Sequence, residues 1–229
     1  MFIGGLQKFS LIDYPEKICA IVFTQGCNFR CGYCHNPELS ECKNFKEIIP
    51  EKEVFDFLKN RKGKLDAVTV TGGEPTLQPD LLKFLRKIKK MGFLVKLDSN
   101  GSNPDVLEKV IKEKLADYIA MDIKAPLKKY KDIVNFSIDT ERIKRSIELI
   151  KSSGIDYEFR TTVVRSQLNI NDLSNIGKLI EGSKLYALQK FIPTKMLNKD
   201  FVNEHSYSDL EFEGIKGIME DFVQKCIVR

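Results

Sequence analysis

Three cysteines lie close together in the stretch F-T-Q-G-C-N-F-R-C-G-Y-C-H-N, at residues 23–36. Cys27, Cys31 and Cys34 have the spacing C-x3-C-x2-C and follow directly on the apolar run 20–23. Thiolates grouped this closely in one loop are typical of a metal site. A fourth cysteine at ferredoxin spacing is absent, so an iron–sulfur cluster held here would keep one iron without a protein ligand. Such an open position allows a metal site to react with a substrate.

A structural zinc site is the simpler alternative. Zinc is normally held by four protein ligands, and His35 or Cys42 could supply the fourth. Cys19 and Cys226 lie on apolar faces, where burial in the core is their more ordinary role. The role of Cys42 stays unassigned.

Two later segments carry polar groups that suit a ligand. Gly72, Gly73 and Glu74 precede a proline in G-G-E-P, which is typical of a turn but could also hold an ammonium group on the glutamate while the glycines allow close approach. Asp98 and Asn100 lie in L-D-S-N-G, an ordinary strand-to-helix loop whose side chains would also suit ribose hydroxyls.

Charged and aromatic residues extend this set. Asp122 and Lys124 are two positions apart, hence on one side of a strand, where they could form a local ion pair. Arg160 interrupts an apolar strand and must find an anion, either a protein carboxylate or that of a ligand. Tyr33 and Phe191 could flank a flat base, although lone aromatics more often belong to the core.

Strand-like and helix-like segments alternate along the chain. Strands are predicted at 19–24, 67–71, 93–97, 118–123, 158–164 and 185–192. Helices are predicted at 51–61, from Pro79, from Asn103, from Asp139, at 172–180 and from Ser208. The alternation indicates parallel strands joined by right-handed crossovers, preceded by an extended lead-in at 1–18.

An open doubly wound sheet and a partial barrel both satisfy this alternation. The polar segments fall within or just after the strands, which is how barrel enzymes build an active site. The sequence therefore predicts an α/β fold, a partial (β/α)6 TIM-like barrel with a C-terminal helix. A single domain over 1–229 is expected, with an N-terminal extension (1–18), the partial barrel (19–192) and a C-terminal segment and helix (193–229).

The composition is that of an ordinary globular protein, with 42% hydrophobic residues, 30% charged residues and a net charge of +5. No basic stripe alternates with aromatics, so nucleic-acid binding is not expected. No apolar run reaches the roughly 18 residues of a membrane span, and the N-terminus does not resemble a signal peptide. A cytoplasmic location is expected, where clustered cysteines more often bind metals than form disulfides.

Together these groups describe a ligand with an amine, a carboxylate, a ribose and a base beside an incomplete cluster. C-N-F-R-C-G-Y-C and G-G-E-P resemble the motifs of the radical S-adenosylmethionine superfamily. The stretches G-G-L-Q-K-F-S-L-I-D-Y-P, T-G-G-E-P-T-L-Q-P-D-L, L-D-S-N-G-S-N-P and Y-I-A-M-D-I-K-A-P resemble the activating proteins of anaerobic ribonucleoside-triphosphate reductase. The resemblance covers most of residues 4–126 and is loose beyond Lys131.

The resemblance implies a single radical S-adenosylmethionine core domain with a [4Fe–4S] cluster on Cys27, Cys31 and Cys34. S-adenosylmethionine would bind the fourth iron. The residues implied to contact it are Tyr33, Gly72, Gly73, Glu74, Asp98, Asn100, Asp122, Lys124, Arg160 and Phe191.

The implied activity is reductive cleavage of S-adenosylmethionine and transfer of the radical to a glycine of the large reductase. Ferredoxin or flavodoxin is the implied electron donor. Activation of a formate-lyase type of enzyme and radical chemistry on a small molecule are alternatives. An electron-transfer or zinc-stabilised binding module is an alternative from another class. The chain shows no second cysteine motif of the kind that some of those relatives carry.

Overall fold

Eight strands form one sheet in which each strand lies beside its neighbour in the chain. The structure is a computed structural model that describes residues 1–229. The strands are β1 (Ile3–Ser10), β2 (Cys19–Thr24), β3 (Ala67–Gly72), β4 (Leu94–Ser99), β5 (Tyr118–Asp122), β6 (Asp156–Val163), β7 (Tyr186–Lys190) and β8 (Cys226–Val228). β2 to β8 are parallel, and β1 is antiparallel to β2.

Helices fill most of the connections between the parallel strands. They are α1 (Pro37–Ser40), α2 (Glu51–Asn60), α3 (Leu81–Lys90), α4 (Pro104–Lys112), α5 (Tyr130–Val134), α6 (Thr140–Lys151), α7 (Ile170–Leu179) and α8 (Asp209–Glu220). β1 and β8, at the two edges, do not pair with each other, so the sheet remains open. The predicted α/β fold of partial-barrel type is confirmed, while the predicted domain boundaries stay a prediction.

Side chains alternate between the two faces of the sheet, as the two-residue period of strands requires. One face packs against the helices in the main core, with Val68 and Val70 of β3 and Val95 and Leu97 of β4 among its members. The opposite side of the sheet lines the barrel interior. Near the N-terminal ends of the strands it carries a small apolar cluster formed by Tyr14, Cys19, Ile21, Ala67, Tyr118 and Ala120.

The interior face becomes polar towards the C-terminal ends of the strands. Thr71 of β3, Asp98 of β4, Asp122 of β5 and Arg160 of β6 all lie there. The apolar cluster therefore forms a floor beneath a polar upper half of the barrel.

The structure corrects several details of the sequence prediction. Residues 1–18 are not only an extended lead-in, because Ile3–Ser10 pairs with β2 as an edge strand. Pro79 does not begin a helix, since α3 starts at Leu81 with Asp80 at the N-cap position. Asn103 precedes α4, but its side chain donates to the Thr76 carbonyl at 3.0 Å instead of capping the helix.

The capping box predicted for the last helix is present. The Ser208 hydroxyl accepts from the Glu211 backbone N–H, and the Glu211 carboxylate accepts from the Ser208 N–H. Cys19 and Cys226 are buried, as expected, in β2 and β8 respectively. None of the helices combines the length and the apolar character needed to span a bilayer.

Candidate active site

A cavity of about 470 Å³ opens at the C-terminal ends of the parallel strands. Twelve of the thirteen residues singled out from the sequence line it: Cys27, Cys31, Tyr33, Cys34, Gly72, Gly73, Glu74, Asp98, Asn100, Asp122, Lys124 and Arg160. The carboxyl ends of parallel strands meet at one end of a barrel, which explains why segments so far apart in sequence come together.

The loop after β2 carries the three cysteines into this cavity. Gly26 turns the chain with a left-handed φ of 98°, and its N–H donates to the Leu39 carbonyl at 2.7 Å. Burial raises the pKa of Cys27 to about 12 and that of Cys31 to about 11. These thiols are therefore protonated at neutral pH unless a bound cation compensates, so that metal binding would release protons.

The arrangement of the thiols bears on which metal group they could hold. No three or more His, Cys, Asp or Glu side chains are arranged to bind a single metal ion. A cubane cluster does not require the thiolates to converge on one ion, because each thiolate binds a different iron of the cluster. The three thiols that line the cavity therefore have the number and the chemistry needed to bind three irons of such a cluster.

Gly72 and Gly73 allow the end of β3 to lie against the chain that leaves β2. A Cβ on Gly73 would overlap the Gly26 carbonyl, and one on Gly72 would overlap the backbone of Thr24. Gly72 also has a left-handed φ of 112°. The Gly73 N–H donates to the Thr24 carbonyl at 2.8 Å, and the Glu74 N–H donates to the Gly26 carbonyl at 2.7 Å. The glycines thus serve close packing between two backbones, a reason that the sequence did not indicate.

Glu74 is almost fully buried and is held by donors from two loops. Its Oε1 accepts from the Thr76 N–H at 3.0 Å, the Thr76 hydroxyl at 2.6 Å and the Ser99 hydroxyl at 2.9 Å. Its Oε2 accepts only from the Asn100 N–H, at 2.6 Å. Burial raises the pKa of Glu74 in spite of these donors. One lone pair of Oε2 remains available to a further donor.

Asn100 connects this glutamate to the cysteine loop. Its side-chain amide donates to Asn28 Oδ1 at 2.9 Å and, over 3.9 Å, to the Cys27 sulfur. Its Oδ1 accepts from the Ser102 N–H at 2.9 Å. The Asn100 side chain therefore braces the loop as well as lining the cavity.

Five charged side chains cross the interior of β4, β5 and β6 in a continuous series, here named the charge ladder: Lys96, Asp98, Arg160, Asp122 and Lys124. Asp98 accepts from Lys96 at 2.6 Å and from Arg160 Nη1 at 3.2 Å. Asp122 accepts from Arg160 Nε at 2.8 Å and from Lys124 at 2.9 Å. Three cations share two carboxylates, so the series carries one uncompensated positive charge.

The cations hold the ladder carboxylates in their ionised form. Burial alone would raise the pKa of Asp98, but Arg160 and Lys96 outweigh it and hold the pKa below its ordinary value. Burial opposes ionisation of Asp122 as well, and Arg160 and Lys124 hold its pKa well below the usual range. Conversely, Asp122 raises the pKa of Lys124 above its ordinary value against the effect of burial. Both carboxylates and Lys124 are therefore charged at neutral pH.

Tyr33 places an unsatisfied polar atom beside this ladder. The ring is buried, and the Lys124 ammonium lies 5.9 Å from its centroid. The phenolic oxygen is buried and makes no hydrogen bond within the protein. A buried hydroxyl without a partner costs free energy, so this atom is suited to contact with a bound group.

Phe191 is the one predicted contact that the structure does not bring to the cavity. Its ring is 3% exposed, stacks on His35 with centroids 5.8 Å apart, and meets the Phe201 ring edge-on. Its chain neighbour Ile192, which is 61% exposed, lines the cavity instead.

The sequence prediction missed other lining residues, among them Thr162, Gln189, Lys190 and Arg229. It also missed Lys96, although a lysine within the apolar strand F-L-V-K-L was a signal of the same kind as Arg160.

Comparison with known proteins identifies the family. The model of the radical SAM superfamily matches residues 21–180. A protein of Methanocaldococcus jannaschii named as a glycyl-radical enzyme activating enzyme is 36% identical over 99% of this chain and 95% of its own length. The chain belongs to the glycyl-radical-enzyme activating enzymes of the radical SAM superfamily. The pyruvate formate-lyase-activating enzyme of Clostridium pasteurianum is 30% identical over 78% of this chain and 76% of its own length.

A solved structure supports the fold of this radical SAM enzyme. SuiB of Streptococcus suis bound to the precursor peptide SuiA matches 91% of the chain with a TM-score of 0.67 and 12% identity. The chain spans about half the length of SuiB, covering 48% of it. The cofactors of the superfamily, and therefore of this enzyme, are S-adenosylmethionine and a [4Fe–4S] cluster.

Proposed function

We propose that this enzyme installs a glycyl radical on an anaerobic ribonucleoside-triphosphate reductase. The observation that carries the proposal is that three thiols, a buried carboxylate with a spare lone pair and four members of the charge ladder line one cavity. The choice of the reductase among glycyl-radical enzymes is supported by the motif resemblance over residues 4–126.

We assign the cluster to Cys27, Cys31 and Cys34, which leaves one iron for S-adenosylmethionine. Bound together, the two cofactors supply a carbon-centred radical able to take a hydrogen atom from a glycine Cα. The protein itself positions the cofactors and excludes water from the cavity.

The remaining contacts to S-adenosylmethionine are assigned from the polar atoms of the cavity that have hydrogen-bonding capacity left. Glu74 Oε2 and the backbone at Gly72 and Gly73 would receive the methionine ammonium. Arg160 has donated Nε and Nη1 within the ladder, and its Nη2 makes no hydrogen bond to the protein. Arg160 Nη2 and Lys124, backed by Asp122, would therefore face the methionine carboxylate.

The ribose and base would lie against the other polar groups. Asp98 and Asn100 have acceptor and donor atoms at the rim of β4, although most of those atoms are already engaged within the chain. Tyr33 would meet the base through its ring, and its free hydroxyl would gain a partner there. A contact between Phe191 and the base stays a prediction, and the stacking of Phe191 on His35 does not support it.

The protein substrate must reach the cavity from outside. We propose the segments Phe2–Tyr14 and Lys195–Tyr207 as the docking surface for the reductase. The first segment exposes large apolar side chains, with Phe9 55% and Ile12 90% exposed. We propose that a ferredoxin or flavodoxin supplies the electron and that the enzyme works in the cytoplasm.

The test is transfer of the radical to candidate partners. The enzyme, reconstituted anaerobically with iron and sulfide and reduced by dithionite, is incubated with S-adenosylmethionine and either an anaerobic reductase or a pyruvate formate-lyase. A glycyl-radical doublet in the EPR spectrum of the reductase alone supports the proposal. A doublet only on the formate-lyase would assign the enzyme to that partner, and release of 5′-deoxyadenosine with neither would favour a small-molecule substrate.

The cluster assignment has a matched control within the chain. Cys34→Ser should lower bound iron and abolish release of 5′-deoxyadenosine. Cys42→Ser should leave both unchanged, because Cys42 is exposed and does not line the cavity. Equal iron content in the two variants would contradict the assignment.

A further inference from the structure

After β7 the chain returns across the outer side of the cysteine loop. Residues 195–203, here named the strap, include a short 3₁₀ helix at Lys199–Asn203. Lys195 forms an ion pair with Glu38, with its Nζ 2.8 Å from Oε2. The Asn198 N–H donates to the Gly32 carbonyl at 3.0 Å. The strap is therefore bonded to the segment that separates Cys31 from Cys34.

Gly32 and Phe201 form a close contact between the strap and the loop. A Cβ on Gly32 would overlap the Phe201 ring. Gly32 does not have a left-handed φ, so space and not backbone conformation requires a glycine here. The Phe201 ring also lies 6.4 Å from the Tyr33 ring and 6.3 Å from the Phe191 ring, measured between centroids.

Phe201 touches the loop from the side away from the site. It does not line the main cavity. It lies instead in a separate outer groove with Arg30, Gly32 and Asn198. Any influence of Phe201 on the cofactors must therefore pass through the cysteine loop, by way of its backbone at Gly32 or the Tyr33 ring.

We infer that the strap is a positioning element for the cluster: Phe201 and Asn198 hold the segment from Cys31 to Cys34 in the shape that binds iron. The inference rests on the proposed assignment of the cluster to the three cysteines. Two of those cysteines, Cys31 and Cys34, flank the dipeptide that the strap covers. Residues that orient metal ligands from outside the first coordination sphere typically change metal affinity about 10- to 100-fold when they are replaced.

The test uses the full-length reconstituted enzyme. Phe201→Ala should lose its cluster to a ferrous chelator about 10-fold faster than wild type, followed by the visible absorbance of the cluster. Phe201→Leu, which keeps an apolar side chain over Gly32, should largely restore retention. Val202→Ala is the control, since Val202 is the next residue of the same 3₁₀ helix and is 58% exposed.

Further readouts separate a positioning role from a general loss of stability. The EPR signal of the reduced cluster should change in Phe201→Ala and not in Val202→Ala, while the far-UV circular dichroism of the apoproteins stays the same. Gly32→Ala should also lose its cluster faster, and adding Phe201→Ala to it should cost less than the product of the single effects, because the two residues share one contact.

Each outcome decides between the two claims. A wild-type chain that takes up no iron and sulfide would overturn the cluster assignment and the strap with it. A wild type that binds the cluster beside a Phe201→Ala variant that retains it equally well, with an unchanged EPR signal, would overturn the strap alone. A double variant whose rate of cluster loss equals the product of the effects of Gly32→Ala and Phe201→Ala would also overturn the strap alone.

Discussion

Replacing Asp122 by asparagine removes one of the two carboxylates of the charge ladder. Arg160 Nε and Lys124 Nζ, which lie 2.8 and 2.9 Å from the Asp122 oxygens, would then face a neutral amide. The ladder would be left with three cations and one carboxylate. Asparagine keeps one acceptor oxygen, so one of the two cations retains a hydrogen bond and the other meets an NH₂ group.

The expected loss of stability follows from the burial of the three side chains. Their exposed fractions are 25% for Asp122, 13% for Arg160 and 15% for Lys124. An exposed ion pair contributes less than about 1 kcal/mol, whereas breaking a fully buried pair costs about 3 to 5 kcal/mol. We expect Asp122→Asn to lower the free energy of unfolding by about 3 kcal/mol, the lower end of the range for a buried pair.

Urea unfolding of the apoprotein, followed by far-UV circular dichroism at pH 7, measures this loss. Asp156→Asn is the control on the neighbouring strand β6, because Asp156 is 78% exposed and its oxygen lies 3.6 Å from Lys184. No measurable change is expected there. A loss of less than about 1 kcal/mol in Asp122→Asn would refute the view that the ladder is a mutually dependent buried network.

The pH dependence provides an independent check with a defined sign. The pKa of Asp122 is depressed in the folded protein, whereas an unfolded aspartate titrates near 4. The unfolded chain therefore binds more protons as the pH falls below about 4, so the contribution of Asp122 is present above that pH and is lost below it. Asp122→Asn should show a shallower loss of stability on acidification than wild type.

Three further changes test other parts of the site, each by the urea-unfolding free energy of the apoprotein. Gly73→Ala should destabilise the protein severely, because its Cβ would overlap the Gly26 carbonyl; a wild-type value would mean that the two loops are not packed as described. Arg229→Ala should cost about 3 kcal/mol, because the buried carboxylate of Glu158 loses both of its hydrogen bonds to Arg229, at 3.0 and 2.7 Å. A smaller loss in Glu158→Gln would support that reason. Tyr33→Phe should be neutral or stabilising by up to about 1 kcal/mol, because the hydroxyl has no partner; a clear loss would show that it is bonded.

The central strands could be predicted from the sequence because they are apolar runs bounded by turn residues. The strand predicted at 19–24 is β2 with the same bounds, and that predicted at 67–71 ends one residue before β3 does. Convergence of the site followed from the rule that parallel strands align their carboxyl ends. The cysteines, G-G-E-P and Arg160 each follow or interrupt such a strand, which is why their proximity could be foreseen.

The edges of the sheet could not be predicted in the same way. β1 has only its two ends buried and lies at an edge, so its pattern carries little hydrophobic periodicity. β8 is three residues long and exists because β7 offers a pairing edge. Neither signal is local, and both strands depend on tertiary contact.

Partner choice within the site was equally hidden from the sequence. Arg160 was expected to seek an anion, but its pairing with Asp122 depends on the register of β5 and β6, in which these two residues are opposite each other. That Phe201 covers Gly32, and that Phe191 turns to His35, depends on the path of the chain after β7.

The interior of the barrel joins these observations into one physical argument. Charges within apolar strands contradict the pattern that folds the sheet, and natural proteins accept such contradictions mainly at functional sites. Here Lys96, Asp98, Asp122 and Arg160 are tolerated because each has an opposite charge within 3.2 Å. The apolar floor formed by Tyr14 and its neighbours lies beneath them, so the charged side chains are confined to the end of the strands at which the cavity opens.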